Sequence, residues 1–151
     1  MNIYRFAKKV LRLYYRLTKP LTVGVRIILG NESNQVLLVK HADDGKYYIP
    51  GGGVRKSESL KDACIREVSE ECGIHISDPR VVCAYSNFQE YKNDHIVLFY
   101  AEIPDTDIKT DSREITDAGF YSVDQLPENM SNGSRRRIDE FSESGFTCGL
   151  W

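Results

Sequence analysis

The chain has 151 residues, 41% hydrophobic and 28% charged side chains, and a formal charge of -2 at pH 7. That length suits a single domain able to bury a core without staples, and the near-neutral balance marks no polyanionic partner such as DNA for the molecule as a whole. No apolar run approaches the roughly 18–20 residues that cross a bilayer, and the N-terminus lacks a signal peptide's apolar block and small-residue cleavage site.

The charge is uneven. Six basic side chains (Arg5, Lys8, Lys9, Arg12, Arg16, Lys19) and no acid occupy the first twenty residues, which leaves a net charge of -8 on the remainder. Residues 3–18 have helical periodicity, with Phe6, Val10, Leu13, Tyr14 and Leu17 broadly on one side. Pro20 ends that helix. A basic amphipathic helix of this kind packs on its own domain or on a second subunit of a homodimer; it also suits a membrane surface, or contact with nucleic acid or an anionic substrate. The expected organisation is this helix over 1–20 as part of the same unit, followed by a domain over 21–151.

Leu21 to Leu29 is rich in β-branched residues and reads as a strand; a Gly30-Asn31 turn leads to a second at Gln35 to Lys40. His41 to Lys46 is a polar loop, and Tyr47 to Ile49 a short strand running into Pro50 and three glycines. The next helix has local boundaries. Ser59 caps it with Asp62 three residues on, and Gly73 terminates it, which gives Leu60 to Cys72.

On that helix Leu60, Ala63 and Cys64 form a stripe that continues one heptad later into Glu67, Glu70 and Glu71. Three glutamates on a helix are commonly a solvated face. Here they crowd like charges at spacings of three and four, which costs roughly 0.2–0.5 kcal/mol per pair, and they share the azimuth of the core-facing residues. Partly buried carboxylates need a partner, and a divalent cation satisfies several at once.

Arg80 to Tyr91 and His95 to Ile103 are two longer strands, the second apolar on both faces and so expected inside a covered sheet. An acidic loop from Asp105 to Asp117 carries Arg113 and Glu114 ahead of a last strand, Gly119 to Val123, and Ser131 to Phe141 forms a closing helix containing Arg135, Arg136 and Arg137. The tail is ordered only if Trp151 finds a pocket. Cys64, Cys72, Cys83 and Cys148 show no C-x-x-C spacing and the chain has three histidines, so free thiols in a reducing cytoplasm are expected rather than zinc or disulfides.

The stretch from Pro50 to Ile74 resembles the signature of the Nudix hydrolases, G-x5-E-x7-R-E-U-x-E-E-x-G-U with U aliphatic. Gly52, Glu58, Arg66, Glu67, Val68, Glu70, Glu71, Gly73 and Ile74 fill every fixed position. The resemblance implies an α/β fold, the α/β/α sandwich with a mixed central sheet. It also implies hydrolysis of a nucleoside diphosphate linked to another moiety, by water attacking phosphorus with Mg²⁺ or Mn²⁺ bound. Carried over by position, Glu67, Glu70, Glu71 and the Gly52 carbonyl are the metal ligands, Arg66 orients a glutamate, and Glu58 ties the loop to the helix. Glu70 and Glu114 are the two candidates for the general base.

Substrate choice lies outside this box. Tyr85, Phe88, Tyr91 and His95 could stack on a base, though aromatic residues in strands more often pack. Tyr91 stands near the tyrosine typical of diadenosine-polyphosphate hydrolases, and the motifs associated with ADP-ribose, NADH or coenzyme A are missing. Two other readings are a nucleotide-binding module without turnover, whose mark is a decayed box, and an RNA 5′-end pyrophosphohydrolase. The second would use the basic helix and the arginine triplet, which otherwise form a solvated helix face.

Overall fold

The computed structural model describes residues 10, 17, 18, 20–89, 92–104, 106–110, 113–143 and 145–151. The helix expected over 3–18 falls almost wholly outside them, as does Tyr91. The described elements are β1 (Leu21–Gly30), β2 (Gln35–His41), β3 (Tyr47–Tyr48), α1 (Leu60–Cys72), β4 (Arg80–Asn87), β5 (Asn93–Glu102), β6 (Ile115–Ser122) and α2 (Asn132–Ser142).

One mixed sheet in the order β3-β2-β1-β5-β4, with β6 on the far side of β2, separates two cores. Alternation along the strands divides their side chains. Val25, Ile27, Leu29, Leu37, Val39 and Phe99 pack under α1, and Ile28, Val36, Leu38, Leu98 and Tyr85 pack under α2. The parallel β1–β5 pair runs from Leu21↔Asn93 to Gly30↔Glu102, and Phe99 and Leu98 enter opposite cores, so β5 is covered on both faces. This is the α/β/α arrangement.

β1 and β2 meet only at their turn, at Gly30↔Val36. Below it they part, and the segment after β3 fills the gap. Val25 N–H donates to the Gly52 carbonyl at 2.9 Å, Ile27 N–H to Pro50 at 3.0 Å, and Val54 N–H to Val23 at 3.0 Å. The glycine-rich loop is thus an added edge of the sheet, placed against the middle of β1.

Helix α1 starts and stops where its local signals say. Ser59 Oγ accepts the Asp62 N–H at 3.1 Å, and Gly73 has φ 65° and returns its N–H to Ser69. Its buried face differs from the expected stripe. Ala63, Cys64, Val68, Glu71 and Cys72 are buried, whereas Leu60 is 37% exposed and the Glu70 side chain 50% exposed. The heptad extrapolation therefore holds for Glu71 and not for Glu70.

The longer strands also shift. β4 stops at Asn87, and β6 starts at Ile115 because it pairs along all of β2, from His41↔Ile115 to Gln35↔Ser122. Polar Thr116 and Asp117 hide that start in the sequence.

The end of the chain corrects one expectation and meets the condition set by another. Cys83 and Cys148 form a disulfide, with Cα atoms 5.4 Å apart, and only Cys64 and Cys72 are free. A separation of 65 residues carries no local signal for such a bond. The tail lies along β4, with Ser86 N–H on the Gly149 carbonyl and Trp151 N–H on the Ser86 carbonyl, each at 2.9 Å. Trp151 packs edge-on against Tyr85, and its indole fills the space where a side chain on Gly133 would sit.

Nor is the arginine triplet a solvated face. Arg137 is 2% exposed, 4.0 Å above the Tyr85 ring, and bonds the Leu150 carbonyl at 3.2 Å and Glu140 at 3.0 Å. Arg135 donates to the Pro127 carbonyl at 2.6 Å, and of the three only Arg136 is exposed.

Candidate active site

The site is built where the loop 50–54 meets α1. Gly51 has φ 138°, and a side chain there would meet the Val25 carbonyl and, at 2.9 Å, the Arg26 Cα. A side chain on Gly52 would run into the Glu67 carboxylate. These two positions need glycine because backbone and carboxylate approach so closely.

Arg66 organises the acids. Its Nε and Nη2 clasp both oxygens of Glu58 at 2.6 and 2.9 Å, Nη2 also reaches the Gly53 carbonyl at 3.1 Å, and Nη1 donates to Glu67 Oε1 at 2.6 Å and Glu70 Oε2 at 3.3 Å. Such bidentate, charge-assisted bonds are the strong kind. The Arg66 bond, helped by the Arg55 N–H, holds the Glu58 carboxyl down at about 2, and bonding to Glu58 raises the Arg66 pKa in turn. Glu58 therefore pins the loop to the helix through Arg66.

Glu71 is different. It is 9% exposed, and its Oε2 accepts the Gly51 N–H at 2.9 Å. Its Oε1 lies 3.8 Å from His41 Nε2. Burial pushes its pKa up to about 7, against the pull of the Gly51 N–H and the Arg26 charge. His41 gives little help, since burial and Arg26 lower its own pKa. Glu70 instead faces solvent, held by Arg55 Nη2 at 3.0 and 3.2 Å.

The donors suit a hard divalent cation, being carboxylate and carbonyl oxygens. Among the described residues no three acidic, histidine or cysteine side chains converge to hold a metal ion. The reason lies in the contacts just given: arginines occupy Glu67 and Glu70, a backbone N–H occupies Glu71, and the Gly52 carbonyl accepts from Val25. Each carboxylate keeps lone pairs beyond those bonds.

A cleft of about 720 Å³ opens beside this loop, between the starts of β1 and β5. Thr22, Arg26, Gly52, Gly53, Arg55 and Asp94 are among its lining residues. Sequence reasoning missed Arg26 and Arg55, and for different reasons. Arg26 sits in an apolar run with no motif around it, yet its charge is felt by Glu71, Glu67 and Asp94, while burial lowers its pKa. Arg55 occupies an unconstrained position of the box.

Of the residues expected to stack on a base, Tyr85, Phe88 and His95 do not line this cleft, and Tyr91 lies outside the described residues. Tyr85 is 1% exposed in the α2-side core, with its hydroxyl donating to Glu140 at 2.7 Å. Phe88 is 56% exposed and stands edge-on to His95, whose Nδ1 is 3.1 Å from Ser86 Oγ. Neither lines the cleft; the neighbours Asp94 and Ile96 do. Glu114 lies just before β6, its carbonyl accepting the Ala42 N–H at 2.8 Å, and its charge contributes to the raised pKa of Glu71.

Comparison with known proteins agrees with this geometry. A model of the NUDIX domain matches residues 20–141. A Bacillus subtilis (strain 168) protein named "Putative 8-oxo-dGTP diphosphatase" is 32% identical over 120 residues, covering 80% of this chain and 79% of that one. The NAD-capped RNA hydrolase NudC of Pectobacterium atrosepticum is 30% identical over 133 residues, covering 85% of this chain and 48% of its own, so the chain spans about half the length of that relative. A MutT protein structure from Methanosarcina mazei Go1 matches with a TM-score of 0.73 and 26% identity, over 83% of this chain and 96% of that one. With the domain model spanning both cores and the acid-bearing loop between them, the chain belongs to the Nudix family and is a hydrolase acting on acid anhydrides.

Proposed function

We propose that the chain hydrolyses the diphosphate linkage of a nucleoside diphosphate joined to a further group, with Mg²⁺ or Mn²⁺ held by Glu67, Glu70, Glu71 and the Gly52 carbonyl. The observation that carries this reading is Glu71, a carboxylate 9% exposed whose pKa is pushed up to about 7 within the signature helix. A buried carboxylate lacking a full counter-charge is completed by a cation. When bound, the metal supplies charge neutralisation and acidifies a bound water.

The protein's own groups supply positioning. Arg66 fixes Glu67 and, through Glu58 and the Gly53 carbonyl, holds the loop against the helix. Gly51 N–H fixes one oxygen of Glu71 and leaves the other toward His41. Glu70 and Glu114 remain the two candidates to take the proton of the attacking water. Glu70 is the more accessible to a bound substrate, since it lies at the solvent edge of the loop beside Arg55. The cleft receives the remainder of the substrate, and the name of the Bacillus subtilis relative agrees with a nucleotide there.

The test is turnover of a mixed panel of nucleoside diphosphate derivatives with Mg²⁺ and Mn²⁺. Glu70→Gln and Glu71→Gln should each lose about two orders of magnitude or more in kcat with the fold retained. Near-normal rates in both variants would sink the proposal. So would wild-type binding without metal-dependent product release, which is the behaviour of a silent binding module.

A further inference from the structure

The cleft holds one carboxylate that the hydrolysis does not use. Thr22 and Asp94 are partners across the start of the parallel β1–β5 pair, and Thr22 Oγ1 donates to Asp94 Oδ1 at 2.7 Å. Asp94 Oδ2 has no hydrogen-bond partner among the described residues. Alternation sets Thr22, Gly24 and Arg26 on one face of β1 and Asp94 and Ile96 on the same face of β5, and all five line the cleft. Gly24, where a Cβ would stand 3.3 Å from the Gly52 carbonyl, lies between Thr22 and Arg26, and the cleft runs from Asp94 to Gly52 and Gly53, next to the acids.

We propose that Asp94 is a specificity-determining residue of this cleft, reading the Watson–Crick edge of a guanine base. The proposal rests on the reading of the chain as a nucleotide hydrolase and adds the base to it. An ionised carboxylate only accepts hydrogen bonds, through two oxygens. Guanine offers two adjacent donors, N1–H and the N2 amino group, which match that pair. Adenine and cytosine place a ring acceptor beside their amino group, and uracil flanks its single N–H with two carbonyls. Each of these sets a lone pair against the carboxylate.

Oδ1 keeps an acceptor site after Thr22 has bonded to it, so the threonine orients Asp94 without consuming it. The volume of about 720 Å³ falls in the range of sites that hold a nucleotide-sized ligand. Arg26 lines the same cleft and feels the charge of Asp94 as well as that of Glu71 and Glu67, which supplies a cation for the phosphates of a bound nucleotide.

The experiment is calorimetric binding of GMP, IMP, AMP and dGMP to the full chain, for wild type, Asp94→Asn and Thr22→Val. It needs no turnover. Wild type should bind GMP at least about tenfold tighter than AMP, with IMP, which lacks the amino group, between them. Asp94→Asn should bring GMP and AMP within about threefold, and Thr22→Val should narrow the gap part way. If Asp94→Asn fails to fold, the wild-type order together with Thr22→Val decides.

Equal binding of GMP and AMP, no measurable GMP binding, or a guanine preference that survives Asp94→Asn overturns the assignment. Equal GMP and AMP binding with a loss for dGMP moves Asp94 to the ribose hydroxyls and also overturns it. Hydrolysis is read separately. A protein that prefers GMP yet cleaves no diphosphate refutes the hydrolysis proposal and keeps the base assignment, whereas one that binds and cleaves guanine and adenine nucleotides alike does the reverse.

Discussion

Among the described residues two charged side chains are buried, and they are treated in opposite ways. Arg137, under α2, is enclosed by Glu140, the Leu150 carbonyl and the rings of Tyr85 and Trp151. Glu71, under α1, has one backbone N–H, a histidine 3.8 Å away that burial keeps from charging, and the charge of Arg26, which together do not offset its burial. A buried charge that the fold pairs with a carboxylate and a carbonyl belongs to the architecture, even though the Nε of Arg137 has no hydrogen-bond partner among the described residues. One that the fold leaves short of counter-charge is waiting for something from outside.

Removing the two charges should therefore change stability in opposite directions. Arg137→Ala should cost about 3–5 kcal/mol, because Glu140 keeps only hydroxyl donors and loses its counter-charge, the Leu150 carbonyl loses its partner and two rings lose their filling. Thermal melting should fall by on the order of 10 °C; a shift of a degree or two would mean the cluster is ornamental. The melt is best read with Cys83–Cys148 kept oxidised, since the tail supplies part of the cage.

Glu71→Gln should do the reverse in metal-free protein. Its carboxyl is raised in the fold, so its contribution is fully present below the ordinary glutamate pKa and is lost as pH rises through about 7. Wild type should lose about 3 kcal/mol relative to Glu71→Gln between roughly pH 4.5 and pH 7. Denaturant melts of both proteins across that window measure the difference, and saturating Mg²⁺ should flatten the wild-type slope. Parallel pH profiles without metal would show that Glu71 is already satisfied, and the contrast with Arg137 would collapse.

The smallest effect sharpens the comparison at the rim of the site. Arg55→Ala removes an exposed pair with Glu70, whose side chains are 61% and 50% exposed, so stability should move by less than about 1 kcal/mol. Turnover should nonetheless change several-fold, because Glu70 then keeps only the longer contact to Arg66 at 3.3 Å. An unchanged rate would leave Arg55 a surface cation.

What could be read in advance follows physical range. The ends of α1 depend on Ser59, Asp62 and Gly73, all within a turn of the boundary they set, and they fall where expected. The family signature is likewise one contiguous stretch. The face that α1 buries depends on packing, and Leu60 and Glu70 turn outward although they share the extrapolated stripe. The Cys83–Cys148 bond, the stacking of Arg137 on Tyr85 and the gathering of Thr22, Arg26 and Asp94 in one cleft join residues distant in sequence or rest on strand register. Tyr85 shows the same limit, since an aromatic residue in a strand has two faces to choose from and the sequence around it does not name the one that α2 covers.

The loop from Pro50 to Val54 is bonded into β1 through Val25, Ile27 and Val23, in the place where a neighbouring strand would lie. Opening it therefore means breaking three bonds of the sheet's central strand rather than lifting a flap. The amides of Val25 and Ile27 are consequently reporters planted beneath the acids: their hydrogen-exchange rates register how often the floor of the site comes apart, and that frequency follows the stability of the sheet rather than the mobility usual for loops.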